Sequence, residues 1–97
     1  MHKDPCVYIM ANKPHGTLYV GVTSSLQARV WQHKNHVVAG FTSRHSLERL
    51  VWFERHLQME QAILREKQLK GGSRKRKVTL IESLNPRWDD LYDSLFD

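Results

Sequence analysis

The chain has a single cysteine, Cys6, so no internal disulfide can form and a reducing compartment is expected. Cys6 stands in a strand-like run, which favours a buried, inert thiol over a nucleophile. No apolar run approaches the ~20 residues that a membrane-spanning helix needs, so no membrane partner is expected. The opening Met1-His2-Lys3-Asp4-Pro5 lacks the apolar centre of a signal peptide, and a cytoplasmic location follows as the expectation. With one cysteine, a closed four-ligand zinc site is disfavoured, although His33 and His36 have i, i+3 spacing. His2, His15, His45 and His56 are expected in exposed loops. No repeat, linker or low-complexity segment interrupts the chain, which reads as one domain over residues 1–97.

What the chain does have is positive charge. Fifteen Lys and Arg against ten Asp and Glu leave a net charge of +5, which points to a polyanionic partner such as nucleic acid. Lys67 to Lys77 holds six cations and no acid, whereas the end of the chain carries Asp89, Asp90, Asp93 and Asp97. The basic run is either a solvated helix face or a track for phosphates, and composition alone does not choose.

The stretch Leu18 to His33 organises the rest. Leu18, Val20 and Val22 alternate with Tyr19 and Gly21, the pattern of a half-buried strand. Thr23-Ser24-Ser25 supplies an N-cap, and a helix is predicted from Leu26 to about Ala39, stopping at Gly40. On its wheel Leu26, Val30 and Val37 share a stripe, with His33 in the middle and Arg29 at the edge. Two basic groups on a core-facing side are an unusual use of that face.

Upstream, Cys6 to Met10 is a β-type run, and Asn12 to Gly16 is a turn cluster, so the two strands form an antiparallel hairpin. With Val7, Ile9, Leu18 and Val20 on one face, Tyr8 and Tyr19 share the other, as a cross-strand aromatic pair or as part of a site. Downstream, Phe41 to Glu48 reads as a loop and Leu50 to Phe53 as a third, central strand. A helix over Gln58 to Lys70 gathers Met59, Ala62, Ile63 and Leu69 around Glu66. A carboxylate there costs several kcal/mol unless a cation, from an ion pair or a metal, compensates. A further helix runs from Arg74 to Ser83, capped by Ser73, with cations in its first turn where they oppose the helix dipole. After Asn85-Pro86, the spacing of Trp88, Leu91, Tyr92 and Leu95 predicts a short terminal helix. Trp31 and Trp52 are either core residues or platforms for unpaired bases.

Assembled in this order, the residues resemble the GIY-YIG nuclease family, most closely its small stand-alone bacterial branch. Cys6-Val7-Tyr8 stands where Gly-Ile-Tyr would be, and Tyr19-Val20-Gly21 stands for Tyr-Ile-Gly. Arg29 follows at the helix-motif position with His33 one turn on, Glu66 matches the acidic residue of the second helix, and Leu84 to Trp88 is similar to the closing motif. Cys6 departs from the first glycine. Asn85 aligns only loosely with a late asparagine and is left out of the site.

The resemblance implies an α/β (α+β) fold with a small three-stranded antiparallel sheet flanked by helices. It implies a divalent-metal-dependent endonuclease that hydrolyses phosphodiester bonds in DNA, with one Mg²⁺ or Mn²⁺ and no small-molecule cofactor. Glu66 would hold the metal, Tyr8 would position or deprotonate the attacking water, and Tyr19 would lie hydrogen-bonded beside it. Arg29 would clamp the scissile phosphate, and His33 would assist by a hydrogen bond or proton transfer near it. Gly21 would let the strand backbone approach the substrate. Lys70, Arg74, Lys75, Arg76 and Lys77 are candidate contacts to the DNA backbone. With no appended recognition domain, selectivity for DNA structure or single strands is expected, suited to repair, recombination or DNA uptake. The rival expectation is a nucleic-acid-binding module of the same fold without catalysis.

Overall fold

Six consecutive residues that offer no charge, Cys6–Ala11, form strand β1, and every one of them is buried. The computed structural model describes residues 4–37 and 40–97. Strand β2 is Leu18–Thr23 and strand β3 is Arg49–Arg55. β1 pairs antiparallel with both, giving the order β2-β1-β3. The β1–β2 turn is closed by the Thr17 amide donating to Asn12 Oδ1 (2.9 Å), with His15 in the left-handed region at φ 59°. The hairpin and the three-stranded antiparallel sheet are as the sequence predicts. The third strand is not central: β1 takes the middle and Leu50 to Phe53 lies in an edge strand.

The alternation along β1 divides the core in two. Val7, Ile9 and Ala11 face a cluster completed by Val20, Val51, Ala62, Leu69, Ile81 and Trp88. Cys6, Tyr8 and Met10 face the other side, against Leu26, Val30, Leu47 and Leu50. Helix α1 (Leu26–Lys34) covers the tyrosine side. Helices α3 (Met59–Gly71) and α4 (Arg74–Leu84) cover the valine side, and Ser73 caps α4 by accepting from the Arg76 amide. Each fully buried aliphatic side chain contributes about 1.5–3 kcal/mol, which makes β1 the thermodynamic centre of the domain.

Several local expectations give way to backbone chemistry. α1 ends at Lys34 in a Schellman arrangement, with the His36 amide on His33 O (3.2 Å) and the Val37 amide on Gln32 O (3.0 Å). His36, at φ 55°, takes the position that glycine usually fills, so Gly40 is not the stop signal. Val37 is therefore off the helix and 61% exposed, and the expected continuation to Ala39 falls on residues outside those described. His2 also lies outside them. Within the expected loop, Phe41–Arg44 form a single turn of helix, α2. On α3, Ile63 faces outward, leaving Ala62 and Leu69 as the buried pair.

The terminal helix is reduced to a 3₁₀ turn at Asp93–Phe96. Upstream of it the chain is pinned to the edge of β3. Asn85, buried, donates from Nδ2 to Val51 O (3.0 Å) and Asp89 O (2.9 Å), and accepts from the Asp89 amide at Oδ1 (3.0 Å). Asp90 Oδ1 then accepts from the Leu50 and Tyr92 amides, and the Leu91 amide donates to Leu50 O. A helix would turn these groups away from β3. Trp88, at φ 59°, drops into one core while Leu91, Tyr92 and Leu95 pack on the other. Trp52 is a core residue with 2% exposure, and its indole N–H finds no protein acceptor among the described residues.

Candidate active site

Gly21 is the backbone condition for the site. It sits opposite Tyr8 in the β1–β2 register, and a Cβ placed on it would lie 2.4 Å from both Cζ and Oη of Tyr8. A tighter contact than any real Cβ makes means that the Tyr8 ring occupies the space a side chain would fill. The phenol is thus sufficient reason for a glycine at this position. Because β2 is an edge strand, this lean carries the hydroxyl of a central-strand residue toward the open edge of the sheet.

There the hydroxyl meets side chains from three other elements. Tyr8 Oη and His33 Nε2 of α1 are hydrogen-bonded at 2.8 Å. Tyr19 of β2 flanks both rings, 6.3 Å from Tyr8 and 5.5 Å from His33 between centroids. Arg29, one helical turn before His33, sits beside the Tyr8 hydroxyl and, more weakly, that of Tyr19, and these contacts hold its guanidinium charged. Its Nη1 also donates to Gln32 Oε1 at 3.2 Å. Glu66 comes from α3, which packs along β1 and β2, and its charge reaches the phenol. Lys70, one turn on, lies 3.4 Å from the Glu66 carboxylate and 5.8 Å over the Tyr19 ring. Tyr8, Tyr19, Arg29 and His33 thus lie side by side from β1, β2 and α1, and Glu66 of α3 is linked to them through Lys70 and through its charge on the phenol.

Burial sets the electrostatics. It pushes the Tyr8 hydroxyl up to about 12; Arg29 pulls it down, while Tyr19 and Glu66 add to the rise. Burial, and then the charge of Arg29, lowers His33 to about 4. At neutral pH both groups are uncharged, and one proton lies in the bond between them. Tyr8 at 0% exposure and His33 at 1% are enclosed together, with the phenol bonded to Nε2 of His33. Its other ring nitrogen, Nδ1, lies 3.2 Å from the hydroxyl of Thr42, a buried residue of α2 to which no sequence pattern pointed. The signal was hidden because α2 itself was read as loop.

The Glu66 side chain is 15% exposed, and its neighbour Lys70 is half exposed. Among the described residues no group of three or more His, Cys, Asp and Glu side chains converges. One partly exposed carboxylate fits a hard cation such as Mg²⁺ or Mn²⁺, for which water and substrate oxygens would have to supply the remaining ligands. His36, the other half of the i, i+3 pair, turns instead to Glu48 at 2.5 Å.

The basic cluster is split by α4. Lys70, Arg74 and Lys77 line a trough of about 470 Å³ whose floor is Thr17 to Val20, next to Tyr19. Arg74 already donates to the carbonyls of His15 and Gly16, and Lys77 to that of Gly72, so these two also hold the turn and the α3–α4 junction. Lys75 and Arg76 line a different groove, with Arg65 and Gln68. Trp31 is 51% exposed, about 200° around α1 from Arg29, and faces a third groove with Tyr92 and Phe96.

A family model of the GIY-YIG catalytic domain matches residues 4–79. Among solved structures, the solution NMR structure of the UPF0213 protein BH0048 from Bacillus halodurans is similar, with TM-score 0.56 and 25% identity over 90% of this chain and 92% of that one. No curated protein matches the chain.

The depressed His33 has a consequence for stability. In the unfolded chain it ionises near its ordinary 6.5, in the folded chain near 4. The neutral, buried form thus contributes stability that is fully present above pH 6.5 and is lost as pH falls toward 4, by about 3 kcal/mol in all. Urea unfolding at pH 7.5 and pH 4 should show this loss in the wild type and a smaller one in His33→Gln. Equal losses in the two proteins would mean that His33 is not the group held neutral.

Proposed function

This chain belongs to the GIY-YIG family, and from that premise we propose that it is a divalent-metal-dependent endonuclease that hydrolyses phosphodiester bonds in DNA. The observation that carries the reading is the Arg29 guanidinium beside the Tyr8 hydroxyl, which is bonded to His33, with Glu66 of α3 near enough for its charge to reach the phenol. A phosphodiester is anionic and repels a nucleophilic oxygen, so positive charge must be in place before attack. Arg29 supplies part of it, as a fixed cation with forked N–H donors for two phosphate oxygens. Glu66 would hold the metal, which when bound would add positive charge against the phosphate oxygens.

In this reading the attacking water gives a proton to Tyr8 Oη while the phenolic proton passes to His33 Nε2. The water oxygen bonds phosphorus, the bond to the leaving oxygen breaks with its electron pair on that oxygen, and solvent protonates it. With His33 near 4 and Tyr8 near 12, the resting pair keeps its proton on the phenol. A phosphate on Arg29 cancels the cation that, after burial, holds His33 down, so arrival of substrate itself raises the basicity of the acceptor. Tyr19 flanks the pair and closes the side nearest the trough.

The Lys70–Arg74–Lys77 trough runs from the site along β2 and suits the backbone of the strand to be cut, which would be bound by charge and without reading sequence. The Lys75–Arg76 groove would serve a more distant segment. Selection for single-stranded or branched DNA fits binding through charge along a small surface, and repair, recombination or uptake would be suitable settings for such an activity.

Cleavage of single-stranded, duplex, flap and nicked DNA in Mg²⁺ and Mn²⁺ tests the reading. Tyr8→Phe and Glu66→Ala should each lose activity by roughly 10²–10⁴-fold while still binding DNA. Tight binding with no cleavage of any substrate would identify a non-catalytic binding module instead. For the trough, Lys70→Ala should weaken binding and flatten the salt dependence by about one unit of slope, with Lys75→Ala affecting it less. An equal effect of Lys75→Ala would place the substrate across both grooves.

A further inference from the structure

Three buried polar side chains form one line through the tyrosine side of the core: Tyr8 at 0% exposure, His33 at 1% and Thr42 at 4%. Tyr8 Oη meets His33 Nε2 at 2.8 Å, and His33 Nδ1 meets Thr42 Oγ1 at 3.2 Å. A neutral imidazole has one N–H and one lone pair, so the two bonds cannot both be donated by the ring. Either Nδ1 donates to Thr42 and Nε2 accepts from the phenol, or the order is reversed and the phenol accepts. Only the first arrangement leaves a base facing the Tyr8 proton. In the second, the phenolic O–H points elsewhere and cannot leave toward His33.

Thr42 is the described hydroxyl in reach of Nδ1, with lone pairs able to accept its proton in the first arrangement. It is the second residue of the single turn α2, which begins after Gly40 at φ 105°, and that turn is tied by the Leu47 amide on Thr42 O (3.0 Å). The hydroxyl is thereby held at the one ring nitrogen that no other described group reaches. We propose that Thr42 is a positioning residue that accepts from His33 Nδ1–H, fixes the Nε2 lone pair on Tyr8, and so makes the Tyr8–His33 pair a one-way path for the proton of the attacking water. This rests on the nuclease reading for its catalytic consequence, but not for the tautomer itself. The charged and titratable groups that face the pair are Tyr19 from β2, Arg29 from α1 and Glu66 from α3, all on the Tyr8 side. On the Nδ1 side the described partner is the Thr42 hydroxyl. A hydroxyl cannot act as a strong base toward Nδ1, so its contribution is orientation.

Long-range ¹H–¹⁵N correlation of the His33 ring at pH 7 tests this without any substrate. The expected spectrum is that of the Nδ1–H tautomer in the wild type, shifting toward Nε2–H in Thr42→Val and returning in Thr42→Ser. An Nε2–H tautomer in the wild type would overturn the proposal, even if the variants failed to fold. With DNA, Thr42→Val should lower kcat about tenfold or more with KM little changed, a part of what full proton-transfer catalysis supplies. Thr42→Ser should restore most of it. Equal kcat in wild type and Thr42→Val would also overturn the proposal. If the wild type cuts no DNA while the ring still shows the Nδ1–H form that Thr42→Val abolishes, the nuclease reading fails and the positioning role stands.

Discussion

A phenol is held inside the domain by one hydrogen bond, from Tyr8 to His33, and most of the site's geometry follows from that burial. The bond exists because Gly21 gives up its side-chain volume to the Tyr8 ring and because α1 turns His33 inward at the same level. Buried polar groups are costly unless paired, so each member of the pair requires the other. Their neutrality at physiological pH is a product of the same burial. The charged members, Arg29 and Glu66, stay at the rim where water and a phosphate can reach them. A neutral inner pair beneath a charged outer ring separates proton transfer from charge neutralisation, and hydrolysis of an anion needs both.

Much of the fold was legible because binary patterning and turn chemistry act locally. The hairpin, the separation of its valine side from its tyrosine side, the cap at Ser73 and the spacing of His33 from Arg29 all follow from period and residue type. What was not legible depended on contacts between distant parts of the chain. β3 has a continuous apolar run like a central strand, yet it lies at an edge because Asn85, Asp90 and Leu91 cover its open side. The same bonds are why the helix-like spacing of Trp88 to Leu95 does not make a helix. At the end of α1, a histidine in the left-handed conformation stands where glycine would be the ordinary choice, so Gly40 misled. At β3 and the terminal segment tertiary hydrogen bonding overrode a correct local preference, whereas at the end of α1 local Schellman bonds did.

The candidate site divides along the same line. Tyr8, Tyr19, Arg29, His33 and Glu66 were awkward for a core and therefore conspicuous; the first four lie side by side, and Glu66 is linked to them through Lys70 and its charge. Thr42 was inconspicuous, since a threonine in a polar stretch is ordinary until a ring nitrogen is found opposite it. The contact of Gly21 with the Tyr8 ring was not legible, because the identity of its neighbour depends on register. The basic cluster looked uniform in sequence, but helical geometry sends Lys70, Arg74 and Lys77 to one groove and Lys75 and Arg76 to another. Charge counts report how many cations there are; the periodicity of α4 decides which of its cations share a groove.

The central claim is that a phosphate and a divalent ion meet between Arg29 and Glu66, over the Tyr8 hydroxyl. A crystal structure of Tyr8→Phe with a short single-stranded oligonucleotide and Mn²⁺ addresses it directly. The account predicts anomalous density for Mn²⁺ on the Glu66 carboxylate, with Lys70 displaced, and one backbone phosphate shared between that ion and Arg29. Oligonucleotide held only in the Lys75–Arg76 groove, with Glu66 still paired to Lys70, would contradict it.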